Sequence, residues 1–287
     1  MERRITGAVL IALTLAGCGR APTPDTYELA GQILAIRAET QEVLIRHGDI
    51  VGFMPGMTMP FKVRDPRLLE GRAAGDLVTA TLSVTPDAAW ISTLTVTGRA
   101  PVPADAPGAF PAATGVVVLA PGDRVAETEL QAADGSAVSL AAPRGRVTAV
   151  TFIYTRCPLP DFCPLMDRRF AELQHRAARD AGLAGRVRLV SVSFDPATDT
   201  PARLAEHATA LGADPAIWQF ATLADPAAID RFAATFGINV IREADGTITH
   251  NLRTVVIDRT GRVAAVHDGN LWTADELLAD LRSAAAR

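Results

Sequence analysis

Between Tyr27 and Thr97 apolar and polar residues alternate in short runs, and no stretch keeps the period of a long helix. Strands are expected at Tyr27–Arg37, Gln41–Arg46, Pro60–Val63, Leu77–Val84 and Ala89–Thr97, with one helical turn around Pro66–Glu70. Five short strands without a long helix predict a small all-β, OB-like barrel, closed or half-closed so that few edges need protection.

Beyond Thr114 the pattern changes. RVTAVTFIYT, Arg146 to Thr155, is almost continuously apolar and rich in β-branched residues, as a strand covered on both faces would be. A helix from Pro164 to Ala181 follows, with Leu165, Phe170 and Leu173 among its apolar positions. A second central strand spans Arg186–Phe194, and Thr200-Pro201 opens another helix with a cap residue and a proline in the favoured order. A short strand at Trp218–Thr222, a helix over Pro226–Phe236, a hairpin of Leu252–Ile257 with Val263–His267, and a helix over Thr273–Ala285 complete the chain. Asp134-Gly135 marks an earlier hairpin. Strands alternating with helices, with two cysteines between the first central strand and its helix, predict a thioredoxin-like α/β domain.

APVPADAPGAFPAAT, Ala100 to Thr114, has four prolines and almost no charge, which reads as a linker. The expected organisation is therefore a signal segment at 1–17, a tether at 18–26, the barrel at 27–99, the linker at 100–113 and the α/β domain at 114–287. The signal segment rests on Arg3 and Arg4, the apolar run Ala8–Ala16 and the sequence Leu15-Ala16-Gly17-Cys18, which resembles the lipobox of bacterial lipoproteins. Lipid on Cys18 would anchor the chain to the periplasmic side of a bacterial membrane, inner or outer, with no other membrane contact. With 28 basic against 32 acidic residues and no arginine-rich stripe, nucleic acid is not an expected partner.

Setting Cys18 aside leaves two thiols, Cys157 and Cys163, in CPLPDFC. A disulfide across five residues would close too small a loop to contribute much stability, so chemistry is the better reason for the pair. Cys163 at the mouth of a helix is expected to favour its thiolate. Disulfide exchange and soft-metal binding both fit. A metal held by two thiolates wants a neutral third donor. His175 and His207 read as solvated helix positions and His267 as a turn residue; His250, on the approach to a central strand, is the candidate donor, with a capping or core role as its alternative.

FIYTRCP, Cys163-Pro164, SVSFDPATDTP (Ser191–Pro201) and the late His250 together resemble the SCO/SenC copper-chaperone family over roughly Thr114 to the C-terminus. The resemblance implies a copper site made by Cys157, Cys163 and His250, with Asp195 beside it, and a role in maturing the dinuclear copper centre of cytochrome c oxidase. The five-residue cysteine spacing is longer than is usual in that family.

GFMPGMTMPF, Gly52 to Phe61, crowds Met54, Met57 and Met59 into six residues. Thioethers are neutral soft donors suited to Cu(I), and period-two spacing puts Met57 and Met59 on one face of a strand. His47 ends the preceding strand and is expected to meet them; filling a small core is the plainer role for the methionines. IRHGDIVGFMPGMTMPFKV resembles the CusF-type periplasmic copper- and silver-binding domain over about Tyr27–Thr97, which implies His47, Met57 and Met59 as ligands. The tryptophan that covers the metal in that family is missing from the motif, and Trp90 lies in a later strand. Either Phe53 caps the ion or Met54 becomes a fourth donor.

These readings converge on a membrane-tethered periplasmic Cu(I) chaperone, with Cu(II) as a further candidate at Cys157, Cys163 and His250. The expected acceptor is cytochrome c oxidase subunit II or another copper chaperone. The alternatives are a thiol-disulfide reductase that uses Cys157 and Cys163 as its redox pair on copper-site cysteines, and an envelope protein for copper sequestration.

Overall fold

The computed structural model describes residues 23–103, 116–141, 145–242 and 248–286. Cys18 and its lipobox, and residues 104–113 of the expected linker, lie outside them.

The first five strands are β1 (Asp25–Arg37), β2 (Glu42–His47), β3 (Met57–Lys62), β4 (Asp76–Val84) and β5 (Ala89–Arg99). They make one antiparallel sheet in the order β3-β2-β1-β4-β5. The sheet is open, which corrects the expected OB-like barrel. Its edge strands β3 and β5 share no ladder; beyond the end of β3 a single bridge joins Val63 to Ile91. The reason lies in β3, which is six residues long and contains Pro60, a residue without an N–H to offer the fifth pairing that closure needs. Ile33, Ile45, Leu82 and Ile91 form the apolar centre of this sheet's core.

The second sheet is mixed and seven-stranded: β6 (Glu129–Ala132), β7 (Ala137–Ser139), β8 (Val147–Ile153), β9 (Val187–Ser193), β10 (Trp218–Thr222), β13 (Arg253–Ile257) and β14 (Val263–Asp268). Between β10 and β13 the short strands β11 (Val240–Arg242) and β12 (Ile248–His250) pair only with each other. The seven-stranded order is β14-β13-β8-β9-β10-β6-β7, with β8, β9 and β10 parallel. Every residue of β8 and β9 is buried, so both faces are covered. The covers are α1 (Cys163–Arg179), α2 (Pro201–Ala210), α3 (Pro226–Thr235) and α4 (Ala274–Ala285). Thr200 and Asp225 cap α2 and α3 ahead of prolines, and Thr273 with Glu276 forms a capping box on α4. This is a thioredoxin-like arrangement. Among the described residues no helix is long and apolar enough to cross a membrane.

The two sheets meet at the loop between β8 and α1. Leu159, 4% exposed, is seated in the apolar core of the five-stranded sheet, and Cys157 and Phe162 pack against the same core. On the other side of this contact β12 lies along β3. The loop's Asp161 accepts a hydrogen bond from the Ala89 N–H of β5, while its Oδ1 is buried without a partner. Burial pushes the Asp161 carboxyl up to about 6.

A carboxyl raised on folding adds stability while it stays protonated and withdraws it as pH rises through the folded value. At pH 7.5 the docked loop therefore carries a buried anion, at a cost of ~1–3 kcal/mol. Asp161→Asn is expected to raise the thermal unfolding midpoint at pH 7.5, with the gain shrinking as pH falls through 6 and vanishing only below about pH 4, where the unfolded carboxyl also protonates, as calorimetry across that range would show.

Candidate functional site

Cys157 follows the end of β8 and Cys163 is the first residue of α1, so the fold brings a strand terminus and a helix start together. His250 ends β12, a strand of its own rather than the bare approach loop expected from the pattern, and its partner β11 holds it in register with Val240. One donor atom from each of Cys157, Cys163 and His250 lies within 4.8 Å of the others. Cys157 is half-buried; Cys163 and His250 are buried.

The orientation of the ring is fixed. His250 Nδ1 is 2.9 Å from the Asn251 carbonyl oxygen, which can only accept, so Nδ1 carries a proton. Nε2 is then the atom that faces the sulfurs, 3.8 Å from Cys163 Sγ. Phe194, Tyr154 and Phe162 surround the ring, with centroids 4.7, 5.5 and 6.2 Å away.

The thiols are electrostatically unlike. Burial pushes Cys157 up, but hydrogen bonds with Cys163 and with the His250 ring outweigh it and hold this thiol well below its ordinary range. Burial, and then the Cys157 sulfur beside it, pushes Cys163 well above. The pair thus loses a first proton readily and a second reluctantly. This reverses the expectation for Cys163: the helix start does not offset the desolvation of a sulfur that is 1% exposed. Tyr154 was not picked out from the pattern. It stands three residues before Cys157 and hydrogen-bonds to that thiol; burial first, and then the nearby sulfurs, raise its hydroxyl far above its usual value.

Two carboxylates hold the turn that presents Cys157. Asp195 accepts from Arg156 Nε at 2.8 Å, one residue from the thiol. Asp199, fully buried, accepts from the Thr155 N–H at 2.9 Å, the Thr155 hydroxyl at 2.5 Å and the Ser193 hydroxyl at 2.6 Å. Sequence reasoning missed Asp199, although it sits in the same SFDPATDTP stretch as Asp195. Other histidines have structural partners: His207 pairs with the buried Asp167 at 2.9 Å, against the expectation of a solvated position, and His267 pairs with Asp280 at 2.7 Å. His175 is exposed.

A second donor group lies in the five-stranded sheet. His47 and Met57 are cross-strand partners, and Met59, two residues on, pairs with Ile45. His47, Met57 and Met59 therefore share a face, and all three are buried. His47 Nδ1 donates to the Gly48 carbonyl at 2.7 Å, while Nε2 is buried with no partner. Burial lowers the pKa of this ring. A neutral imidazole with an unpaired nitrogen among thioethers is a donor set matched to a soft cation. Gly31, opposite His47 in β1, allows the close approach: a Cβ there would come within 2.5 Å of the Arg46 carbonyl oxygen. Met54 is buried in the same core. Phe53 stacks on Tyr27 at 4.6 Å, and Trp90 lies under the Arg64 guanidinium at 3.6 Å.

The comparisons with known proteins divide at the same place. The SCO1/SenC family profile matches residues 121–286, and that of the copper binding periplasmic protein CusF matches residues 26–96. The SCO1 protein homolog of Bacillus subtilis (strain 168) is 27% identical over 154 residues, covering 53% of this chain and 77% of the homolog. A SCO1/SenC family lipoprotein from Bacillus anthracis str. Ames superposes with a TM-score of 0.52 at 24% identity, over 59% of this chain and 99% of its own, a likeness of fold. BsSco, described with a disulfide switch and as a member of the Sco family of cytochrome c oxidase assembly proteins, gives 0.50 at 27% identity, over 59% and 98%.

Removing the buried Asp199 carboxylate would leave two hydroxyls and an amide without their acceptor. Asp199→Ala is expected to lower stability by about 3 kcal/mol and to loosen the turn that presents Cys157, measured by denaturant unfolding and by the rate of Cys157 alkylation.

Proposed function

Since the chain belongs to the SCO1/SenC family, joined here to a CusF-like copper-binding region, we propose that it is a lipid-anchored Cu(I) chaperone on the periplasmic side of a bacterial membrane. Its cargo is delivered to the copper centre of cytochrome c oxidase, either to subunit II directly or through another copper chaperone. The observation that carries this reading is the convergence of Cys157, Cys163 and His250 within 4.8 Å. Two sulfurs and one imidazole nitrogen give a soft ion three donors and leave an open side for an acceptor's ligands to attack.

In this reading Cys157, Cys163 and His250 hold the delivered ion, and His47, Met57 and Met59, with Met54 as a further donor, hold a second one in a more weakly binding thioether site. Thioethers remain donors in an oxidising compartment where free thiols do not, which suits the methionine cluster to capture. The lipid on Cys18 limits the search for a membrane-bound acceptor and raises its effective concentration.

The readily ionised Cys157 beside a reluctant Cys163 also favours a second reading, a thiol-disulfide reductase acting on an acceptor's copper-site cysteines. The two readings part at His250: copper delivery needs it as a donor, whereas a dithiol reductase uses it only to ease the ionisation of Cys157, a help that higher pH replaces. Titration of the reduced chain against a competing chelator is expected to give two Cu(I) equivalents. His250→Ala is expected to weaken the tighter of them by tenfold or more, about 1.4 kcal/mol, and to abolish oxidase maturation in cells. Full maturation by His250→Ala, with dithiol turnover intact, would favour the reductase.

A further inference from the structure

The contact between the two sheets does more than join them. One narrow cavity lies at that contact, with Met57 and Met59 on one wall and Cys157, Leu159, Phe162 and His250 among the residues of the other. Its volume is about 10 Å³, room for roughly one water-sized sphere. Met57 is at the same time the cross-strand neighbour of His47. The methionine strand is thus a shared wall: His47 lies beside it, and the thiol cluster borders the cavity it lines. The CPLPDFC loop, with five residues between its cysteines, brings the walls together, because Leu159 is buried in the core of the other sheet.

We propose that this cavity is a handover chamber in which a soft monovalent cation passes within the chain from the thioether cluster to the thiol cluster without entering solvent. The inference rests on the copper reading above and specifies its route. The ion leaves His47 Nε2 and the Met57 and Met59 sulfurs as it bonds first to the half-buried Cys157, then to Cys163 and His250 Nε2. Copper stays Cu(I) throughout, and the proton on Cys163 departs to solvent as its sulfur takes the metal. Direction follows from donor chemistry, since anionic thiolates hold a soft cation more strongly than neutral thioethers. Leu159 is a positioning residue: it touches no metal in this scheme but sets the separation of the two walls. The lengthened cysteine loop thereby acquires a purpose, as the arm that reaches the neighbouring sheet.

The test uses the reduced full chain mixed rapidly with one equivalent of Cu(I) supplied as a chelate, with copper–thiolate absorption followed in time. The expected result is a first-order loading phase independent of protein concentration. Leu159→Ser, which keeps every donor, is expected to slow that phase by about tenfold or more as the local effective concentration is lost, while Leu159→Met restores it. Met57→Leu with Met59→Leu is expected to slow loading comparably, and adding Leu159→Ser to that pair should slow it little further, since all act on one route. Wild-type loading rates in Leu159→Ser and in the methionine pair would overturn the handover and leave the copper reading standing. Failure of the wild-type chain to develop any copper–thiolate absorption would instead overturn the copper reading itself.

Discussion

Three donor atoms that would rather be elsewhere are confined within 4.8 Å: a thiol that ionises readily, a thiol that resists ionising, and an imidazole nitrogen. Two sulfurs that close, in apolar surroundings, carry an electrostatic penalty when both are anionic. A soft cation relieves that penalty, because it replaces protons with bonds to the same atoms. The rest of the thioredoxin-like domain is arranged so that this crowding persists without the cation. Asp199 and Asp195 pin the turn before Cys157, α1 fixes Cys163, and the Asn251 carbonyl fixes the tautomer of His250.

The methionine cluster solves the same problem with weaker donors. His47 has its Nδ1 proton committed to a backbone carbonyl and its Nε2 left bare, the arrangement also seen at His250, where the next residue's carbonyl again takes the Nδ1 proton. Two histidines on unrelated sheets thus end their strands with the same Nδ1 contact, and at His250 the free Nε2 faces the Cys163 sulfur. A buried unpaired nitrogen is costly in a core that merely packs, so His47 argues against methionines that serve only as filler.

Much of this could be read from the pattern of residues. The largely apolar run of β8, and the cap-and-proline pairs at α2 and α3, carry their structure locally, and so the thioredoxin-like order is legible. The alternation Met57-x-Met59 gives a shared face directly. What did not show is whatever depends on distance across the fold. Barrel closure turns on whether two edge strands meet, and Pro60 in a six-residue edge strand leaves them unjoined apart from one bridge. The role of Asp199 turns on which loop its carboxylate reaches, and the raised thiol of Cys163 turns on burial that a helix-start argument does not contain. The longer cysteine loop looked like a departure from its family; only the seating of Leu159 in the other sheet shows what the added length reaches.

The β12 strand illustrates the same limit on a smaller scale. His250 was placed by its position ahead of a central strand, yet its orientation comes from a two-stranded hairpin with Val240–Arg242 that the pattern did not announce. The central claim is that this ring and the two thiols bind one copper ion together. X-ray absorption at the copper edge, on the reduced chain carrying a single Cu(I), counts the donors most directly. The account predicts two sulfur neighbours and one imidazole nitrogen, with the nitrogen lost in His250→Ala; a spectrum without imidazole scattering in the unaltered chain would contradict it.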